Sequence, residues 1–460
     1  MTRPLAAVVG AALALAVLGI VLAAEANPTT AGADPATALP TLREQAALRQ
    51  EWLRLRLERN LPVVMRRAGA PMWLVIAGEY NEDPVFFSLV APTELSAHRR
   101  SILVFCDRGE AGVERRVIGG SDSGGLYAPL RDPELARQVP RDRLAWELLR
   151  RLVEERQPAS IAVNISTGTA LADGLSAGDR ELLEAALGPS WSARLVRNDN
   201  LAVEYLSLRL PEMLPFYRRL MGVAHQLIGR AFSAEVIVPG HTTTTDVVWW
   251  LRQEAARFGC GVWFHPTVDV QRRGLGGGFK PPDDTETVIE TGDLIHVDLG
   301  LTAAGLATDT QHMGYVLRPG ETDAPPGLRR ALAVGNRLQD IVCAAMRPGR
   351  TGNEALAAAL AAMRAEGIKG SVYSHPVGDH GHGAGPVIGL WDRQEAIPVR
   401  GDRAILADTW WAVELYAASP VPEWDGQEVR MMLEEDVVLT AAGTQWVLPR
   451  QEKFHLVGKR

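Results

Sequence analysis

The stretch Gly292-Asp293-Leu294-Ile295-His296-Val297-Asp298-Leu299-Gly300, running on to Ala307-Thr308-Asp309-Thr310-Gln311, decides the fold of this chain. Residues 294–301 and 306–313 read as strands joined by a turn around Ala303-Ala304-Gly305. Asp298 and Asp309 stand about equally far from that turn. A tight hairpin therefore predicts them directly opposite each other, with Cβ atoms about 4.5–5.5 Å apart. A lone Asp in a hairpin is ordinarily a turn or surface residue. Two facing Asp in an apolar hairpin repel each other, so something positive is expected between them.

Downstream, His375-Pro376-Val377-Gly378-Asp379-His380-Gly381-His382-Gly383-Ala384-Gly385 sets three histidines among glycines that allow close backbone approach. Imidazole is a common ligand of transition metals, although a single histidine would read as a satisfied structural residue. Trp410-Trp411-Ala412-Val413-Glu414-Leu415-Tyr416 then places a carboxylate inside an apolar strand. Val429-Arg430-Met431-Met432-Leu433-Glu434-Glu435-Asp436-Val437-Val438 does so again. A buried Glu is costly unless it is paired or bound to a cation. Alternation sends one of Glu434 and Glu435 inward and the other outward, to a solvated face. Two Asp, one His and two Glu form a mostly oxygen donor set that could hold two divalent cations about 3.5–4 Å apart. Such a pair could generate a bridging hydroxide and clamp a substrate oxygen. The donors admit Mn, Co, Fe or Zn.

Around this core the second half carries a weak repeat. A helical stretch from Arg218-Arg219 reaches Pro239-Gly240-His241-Thr242 and a second helix over 246–258; another from Arg329-Arg330 reaches Pro348-Gly349-Arg350-Thr351 and a helix over 354–366. Pro and Gly halt one helix and Thr caps the next. Two such halves could face each other across a cleft. Ahead of them, Thr41-Leu42-Arg43-Glu44 is a capping box opening a charged amphipathic helix to about Arg59. Strands are expected at 73–77, 102–106 and 161–165, and helices at 143–155 and 180–187, giving an α/β domain without a cluster of ligand-type residues.

At the N-terminus, Arg3 precedes an uncharged Ala/Val/Leu/Gly run over 4–24, and Ala24-Glu25-Ala26 is an A-x-A pattern placing cleavage before Asn27. The run is also long enough to act as an uncleaved membrane tether. Either way the bulk of the chain is expected outside the cytoplasm, periplasmic or secreted. The expected organisation is 1–26 export segment or anchor, 27–40 linker, 41–204 α/β domain and 205–460 the ligand-bearing domain. Over all 460 residues, 48 Lys+Arg stand against 55 Asp+Glu, a net charge of −7. That leaves no basic field for nucleic acid, which is excluded as a partner. Three cysteines are too few for a disulfide framework and read as core residues.

Taken together, residues 210–457 resemble the pita-bread metallopeptidases: aminopeptidase P, prolidase and methionine aminopeptidase, with creatinase as a non-metal relative. The resemblance rests on a V-D-x-G strand followed eleven residues later by a second Asp, as at Asp298 and Asp309. It implies an α/β creatinase-like N-terminal domain and an α+β pita-bread domain with an internal pseudo-twofold repeat. The family's G-H-G-x-G histidine is similar to His382, with His380 fitting an H-x-x-G frame as well. Its next ligand is similar to Glu414, although Leu415-Tyr416 replaces the usual Pro-Gly. The final E-[DE]-x-V-[VL]-x-T run puts the last ligand on Glu434.

The metal set implied is Asp298, Asp309, His382, Glu414 and Glu434 around two divalent ions, Mn first and Co or Zn as alternatives. Glu414 or Glu434 would relay the proton. The family's two non-ligand histidines are not matched where they are expected, in Phe279-Lys280-Pro281-Pro282-Asp283 or at Gly389, seven residues past His382. His265, His296 and His375 are the available substitutes. Met432 stands where the family has an Arg, with Arg430 further back. The resemblance implies a peptidase acting on N-terminal peptide bonds, Xaa-Pro among them, with a homodimer admitted, and the N-terminal run makes it an exported one. The alternative is a metal-containing binder of peptides or a partner protein on the same fold.

Overall fold

The computed structural model describes residues 39–275 and 286–458. The expected export segment, most of the expected linker and Phe279-Lys280-Pro281-Pro282-Asp283 lie outside them. Among the described residues no helix is long and apolar enough to cross a membrane.

The first helix, α1 (Leu42–Leu55), starts where the capping box puts it. Thr41 Oγ1 accepts from the Glu44 amide, and the Glu44 carboxylate accepts from the Thr41 amide. Next comes a mixed sheet of β1 (Met72–Gly78), β2 (Arg100–Asp107), β3 (Val113–Ile118), β4 (Ala128–Pro129), β5 (Ile161–Val163) and β6 (Leu195–Arg197), in the order β4-β3-β2-β1-β5-β6. Strand alternation covers both faces of β1. Met72, Leu74 and Ile76 pack under α2 (Arg141–Arg156) and α3 (Ala177–Ser192), while Trp73, Val75 and Ala77 pack against Leu57, Leu61 and Tyr205.

The second half is built on a larger sheet. Its strands are β8 (Thr267–Gln271), β9 (Leu294–Leu299), β12 (Thr310–Val316), β13 (Lys369–Val372), β15 (Thr409–Val421) and β16 (Gln427–Thr440), in the order β13-β15-β16-β12-β9-β8. Three short strands add to it: β14 (His375–Val377) on β15, β17 (Gly443–Trp446) on β16 and β18 (His455–Val457) on β12. A small side sheet joins β7 (Gly261–Val262), β10 (Leu301–Ala303) and β11 (Leu306–Ala307). Helices α4 (Leu214–Ala231) and α5 (Thr244–Arg257) pack on Val297 and Leu299 of the sheet's back. Helices α6 (Pro326–Ala345) and α7 (Gly352–Ala365) pack on Val413, Leu415 and Leu433.

The repeat is visible at the backbone level. Thr243 bridges Val288 and the Gly240 amide donates to Ile289, just as Thr351 bridges Ala404 and the Gly349 amide donates to Ile405. One detail differs from the sequence expectation. Thr351 caps its helix, but in the first unit the cap is Thr243 and not Thr242, because Thr243 is the residue three before Asp246 and closes the box with it.

The decisive hairpin also pairs differently. Asp298 stands opposite Gln311, not Asp309, and Ala303 opposite Leu306. The loop is therefore the two residues Ala304 and Gly305, both at positive φ (51° and 73°), as in a type I′ turn whose twist matches the strands. Asp309 sits two residues along from the pairing partner of Asp298. It keeps the same face, as a diagonal neighbour.

Candidate metal centre

The register assembles the site in rows. Asp298 pairs with Gln311, Gln311 with Glu434, and Glu434 with Glu414, so four polar side chains from four strands form one line across the sheet. One step along, Asp309 precedes Gln311 and Asp436 follows Glu434, while Asp436 pairs with Ala412 and Ala412 with His375. A period of two keeps all of them on one face of the sheet. The small Ala412 leaves room for the imidazole to reach over it. His375 Nε2 lies 3.4 Å from Glu434 Oε1, 3.6 Å from Asp309 Oδ2 and 3.7 Å from Glu414 Oε2.

Gln311 holds the row together. Its Nε2 donates to Glu414 Oε1 (2.5 Å), Glu434 Oε2 (3.0 Å) and Asp298 Oδ2 (3.4 Å), and its Oε1 lies 3.0 Å from His296 Nε2. One oxygen of each carboxylate is thereby engaged. Asp298 Oδ1, Asp309 Oδ1, Glu434 Oε1 and His375 Nε2 are buried without a hydrogen-bond partner. Buried polar atoms are ordinarily satisfied, so four converging orphans mark a place for a bound group.

The electrostatics agree. Burial first, and then their mutual repulsion, lifts the carboxyls of Asp309, Glu414 and Glu434 well above the carboxylate range. Burial raises Asp298 to about 7. Burial pushes His375 down to about 3, leaving it neutral with a lone pair to offer. Asp298, Asp309 and Glu434 form one set with donor atoms within 4.8 Å of one another, and His375, Glu414 and Glu434 form another, sharing Glu434. Mostly oxygen with one nitrogen, both sets fit divalent cations.

Outside the row, Asp436 Oδ2 accepts from the Asp309 amide (3.3 Å) and lies 2.7 Å from Tyr217 Oη, which fixes the Asp309 backbone. Arg430, four residues before Glu434, stacks its guanidinium over Tyr416. Trp263 wedges between two glycines. A Cβ on Gly300 would fall 1.9 Å from its Nε1, and one on Gly381 2.0 Å from its Cε2.

Of the predicted ligands, Asp298, Asp309, Glu414 and Glu434 converge. His382 stands at the rim, exposed, with its ring edge-on to His375 at 4.7 Å and to Trp263 at 5.0 Å, and it offers a donor atom within 4.8 Å of those of Asp309 and His375. His380 turns to a cavity lined by Arg49, Arg56 and Asp379. Among the proposed substitutes, His375 enters the centre, His296 braces Gln311, and His265 lies apart beside Trp249 and Arg252. Gln311, Asp436 and Tyr217 were not singled out in the sequence. The only signal for Gln311 and Asp436 was their spacing of two from Asp309 and Glu434. Glu435 is a correction: it is 2% exposed on the opposite face, not solvated, because α4 covers that side of the sheet.

Residues 217–441 match the model of metallopeptidase family M24. No curated protein matches the chain in sequence. Among solved structures, the X-Pro aminopeptidase from Thermotoga maritima is similar at 16% identity with a TM-score of 0.59, covering 86% of this chain and 99% of that one. The Xaa-Pro dipeptidase from Bacillus anthracis is similar at 15% identity and a TM-score of 0.58, covering 89% and 99%. The N-terminal domain of the FACT complex subunit SPT16 from Cicer arietinum is similar at 10% identity and 0.54, covering 90% and 99%.

Proposed function

We propose that this chain, whose residues 217–441 match the model of metallopeptidase family M24, hydrolyses N-terminal peptide bonds, Xaa-Pro bonds among them, with two divalent cations, Mn first, and that it does so outside the cytoplasm. The observation that carries this is the convergence of four buried, unpartnered donor atoms on Asp298, Asp309, Glu434 and His375.

In this reading His375, not His382, is the nitrogen ligand, joining Asp298, Asp309, Glu414 and Glu434. The reassignment also supplies a non-ligand histidine. His382 is the seventh residue after His375, the spacing at which the family places one. When bound, the cations supply Lewis acidity that polarises a scissile carbonyl and acidifies water. The protein's own part is to hold and move protons. Glu414 or Glu434 would accept a proton from water and return it to the leaving amine. The His382 ring is partly shielded although its edge is exposed, and that shielding, with Arg400 nearby, lowers the His382 pKa, so at neutral pH it would be a neutral donor beside the reacting carbonyl. Gln311 restrains the three carboxylates throughout.

The test is a mass-spectrometric cleavage assay on a mixed peptide library, with the chain from Asn27 reconstituted with Mn²⁺ and Asp309→Ala as control. Metal-dependent loss of an N-terminal residue, absent in the control, is the expected result. Full metal occupancy with no cleavage would instead make the protein a peptide or partner binder on the same fold.

A further inference from the structure

The sheet that carries the carboxylate row has a second polar cluster on its other face. His312 and Glu435 directly follow Gln311 and Glu434, so alternation turns them toward the helix layer. There His225 of α4 comes down onto them. His225 Nε2 lies 3.0 Å from Glu435 Oε2, and His312 Nε2 lies 2.8 Å from Glu435 Oε1. The two imidazoles thus converge on the two oxygens of one carboxylate, with all three donor atoms within 4.8 Å of one another.

We propose that His225, His312 and Glu435 form a separate site for a single divalent transition-metal ion of the zinc class, with His455 orienting His312.

Three observations support it. Donor type comes first: two imidazoles and a carboxylate, with a fourth position left for water, match the three-protein-ligand sets that hold zinc. The surrounding shell comes second. His312 Nδ1 lies 3.1 Å from His455 Nε2, and the Gln451 amide donates to Glu435 Oε1 at 2.9 Å. Metal-bound histidines characteristically have the other ring nitrogen fixed in this way, and bound carboxylates are themselves hydrogen-bonded. Here the ion requires the His312 proton on Nδ1, donating to His455 Nε2. Burial and access come third. The side chains of His312 and Glu435 are 4% and 2% exposed, while His225 is 21% exposed and opens a path from solvent. Among the described residues the ion pairs of Glu435 are with these two histidines alone, so no Lys or Arg takes the place of the ion. The site would tie α4 and β18 to the centre of the sheet.

The competing arrangement fills the same positions with protons: neutral His225 and His312 donate to Glu435, and His455 donates to His312. Metal counting separates the two. The full chain is prepared as wild type and as Asp309→Asn, each alone and combined with His225→Ala or His225→Gln. The proteins are loaded with Zn²⁺, desalted and analysed by elemental mass spectrometry, with circular dichroism confirming the fold. Replacing His225 is expected to remove about one equivalent from both backgrounds, and Asp309→Asn alone is expected to retain it. An unchanged count in either folded His225 variant overturns the proposal. If neither variant folds, Co²⁺ loaded into Asp309→Asn decides. Intense visible absorption of four-coordinate cobalt supports the site, and only the weak bands of six-coordinate cobalt overturn it. The count does not depend on peptide cleavage, so it stands or falls apart from the peptidase reading.

Discussion

His375 and His382 show how much turns on a single side chain. Both are imidazoles in one glycine-rich segment, yet one is enclosed by three carboxylates and the other faces the opening. Their substitutions should therefore fail differently. His375→Ala is expected to lose metal and turnover together. His382→Ala should keep its metal while kcat falls by about 10²–10⁴, the usual contribution of a positioned acid–base group. Elemental analysis beside peptide turnover reads both. Gln311 makes a third case, since it touches one oxygen of each of three carboxylates. Gln311→Leu frees those oxygens and should weaken metal affinity by about 10–100-fold, as loss of outer-shell partners does. Competition with a chelator measures it.

The hairpin of β9 to β12 governs the site at the scale of elements. Its two-residue loop demands positive φ at both positions, and one is Ala304 at 51°. A non-glycine residue pays roughly 1–2 kcal/mol in that region. Ala304→Gly is accordingly expected to raise stability by up to about 1 kcal/mol, the larger entropy of glycine in the unfolded chain offsetting part of the gain. Urea unfolding would show it as a higher midpoint at unchanged slope. The same turn determines the register, and the register puts Gln311 rather than Asp309 against Asp298. The centre is consequently a staggered two-row patch, not a facing pair of aspartates.

Across the whole molecule, charge is handled in two opposite ways. Asp379 is clamped between Arg56, from the helical segment that precedes the first sheet, and Arg209, at 3.0 and 2.5 Å. Burial opposes its ionisation, but the two guanidiniums outweigh that and depress its pKa. The stability it contributes is present above the usual carboxylate value near 4 and is lost as pH falls toward the depressed value. The metal-centre carboxyls are raised instead. In the metal-free chain the native state holds protons that the unfolded chain has already released, so stability falls as pH rises from about 4 toward 7. Bound cations keep those groups ionised and remove the loss. The gap in Tm between metal-loaded and chelator-treated protein should therefore widen with rising pH across that window. Thermal scans at pH 4.5, 5.5 and 6.5 would test it.

The local sequence determined the ingredients of the centre. The apolar hairpin with its two Asp and the two apolar strands with their Glu supplied Asp298, Asp309, Glu414 and Glu434 as candidates, and the eleven-residue Asp spacing with the closing Glu run marked the family. The capping boxes and the P-G-x-T turns outlined the repeat, because caps and turns act over three or four residues. What lay beyond reach depended on neighbours far away in the chain. That His375 comes within reach of three carboxylates follows from the pairing of β14 with β15, which sets it opposite Ala412. Whether Glu435 meets water or protein was settled by α4, two hundred residues earlier in the chain. Gln311 became a central group only when four strands lined up in one register. Period-two alternation assigns a face to each residue, but the partner across the sheet and the cover above it arise only when the strands and helices pack together.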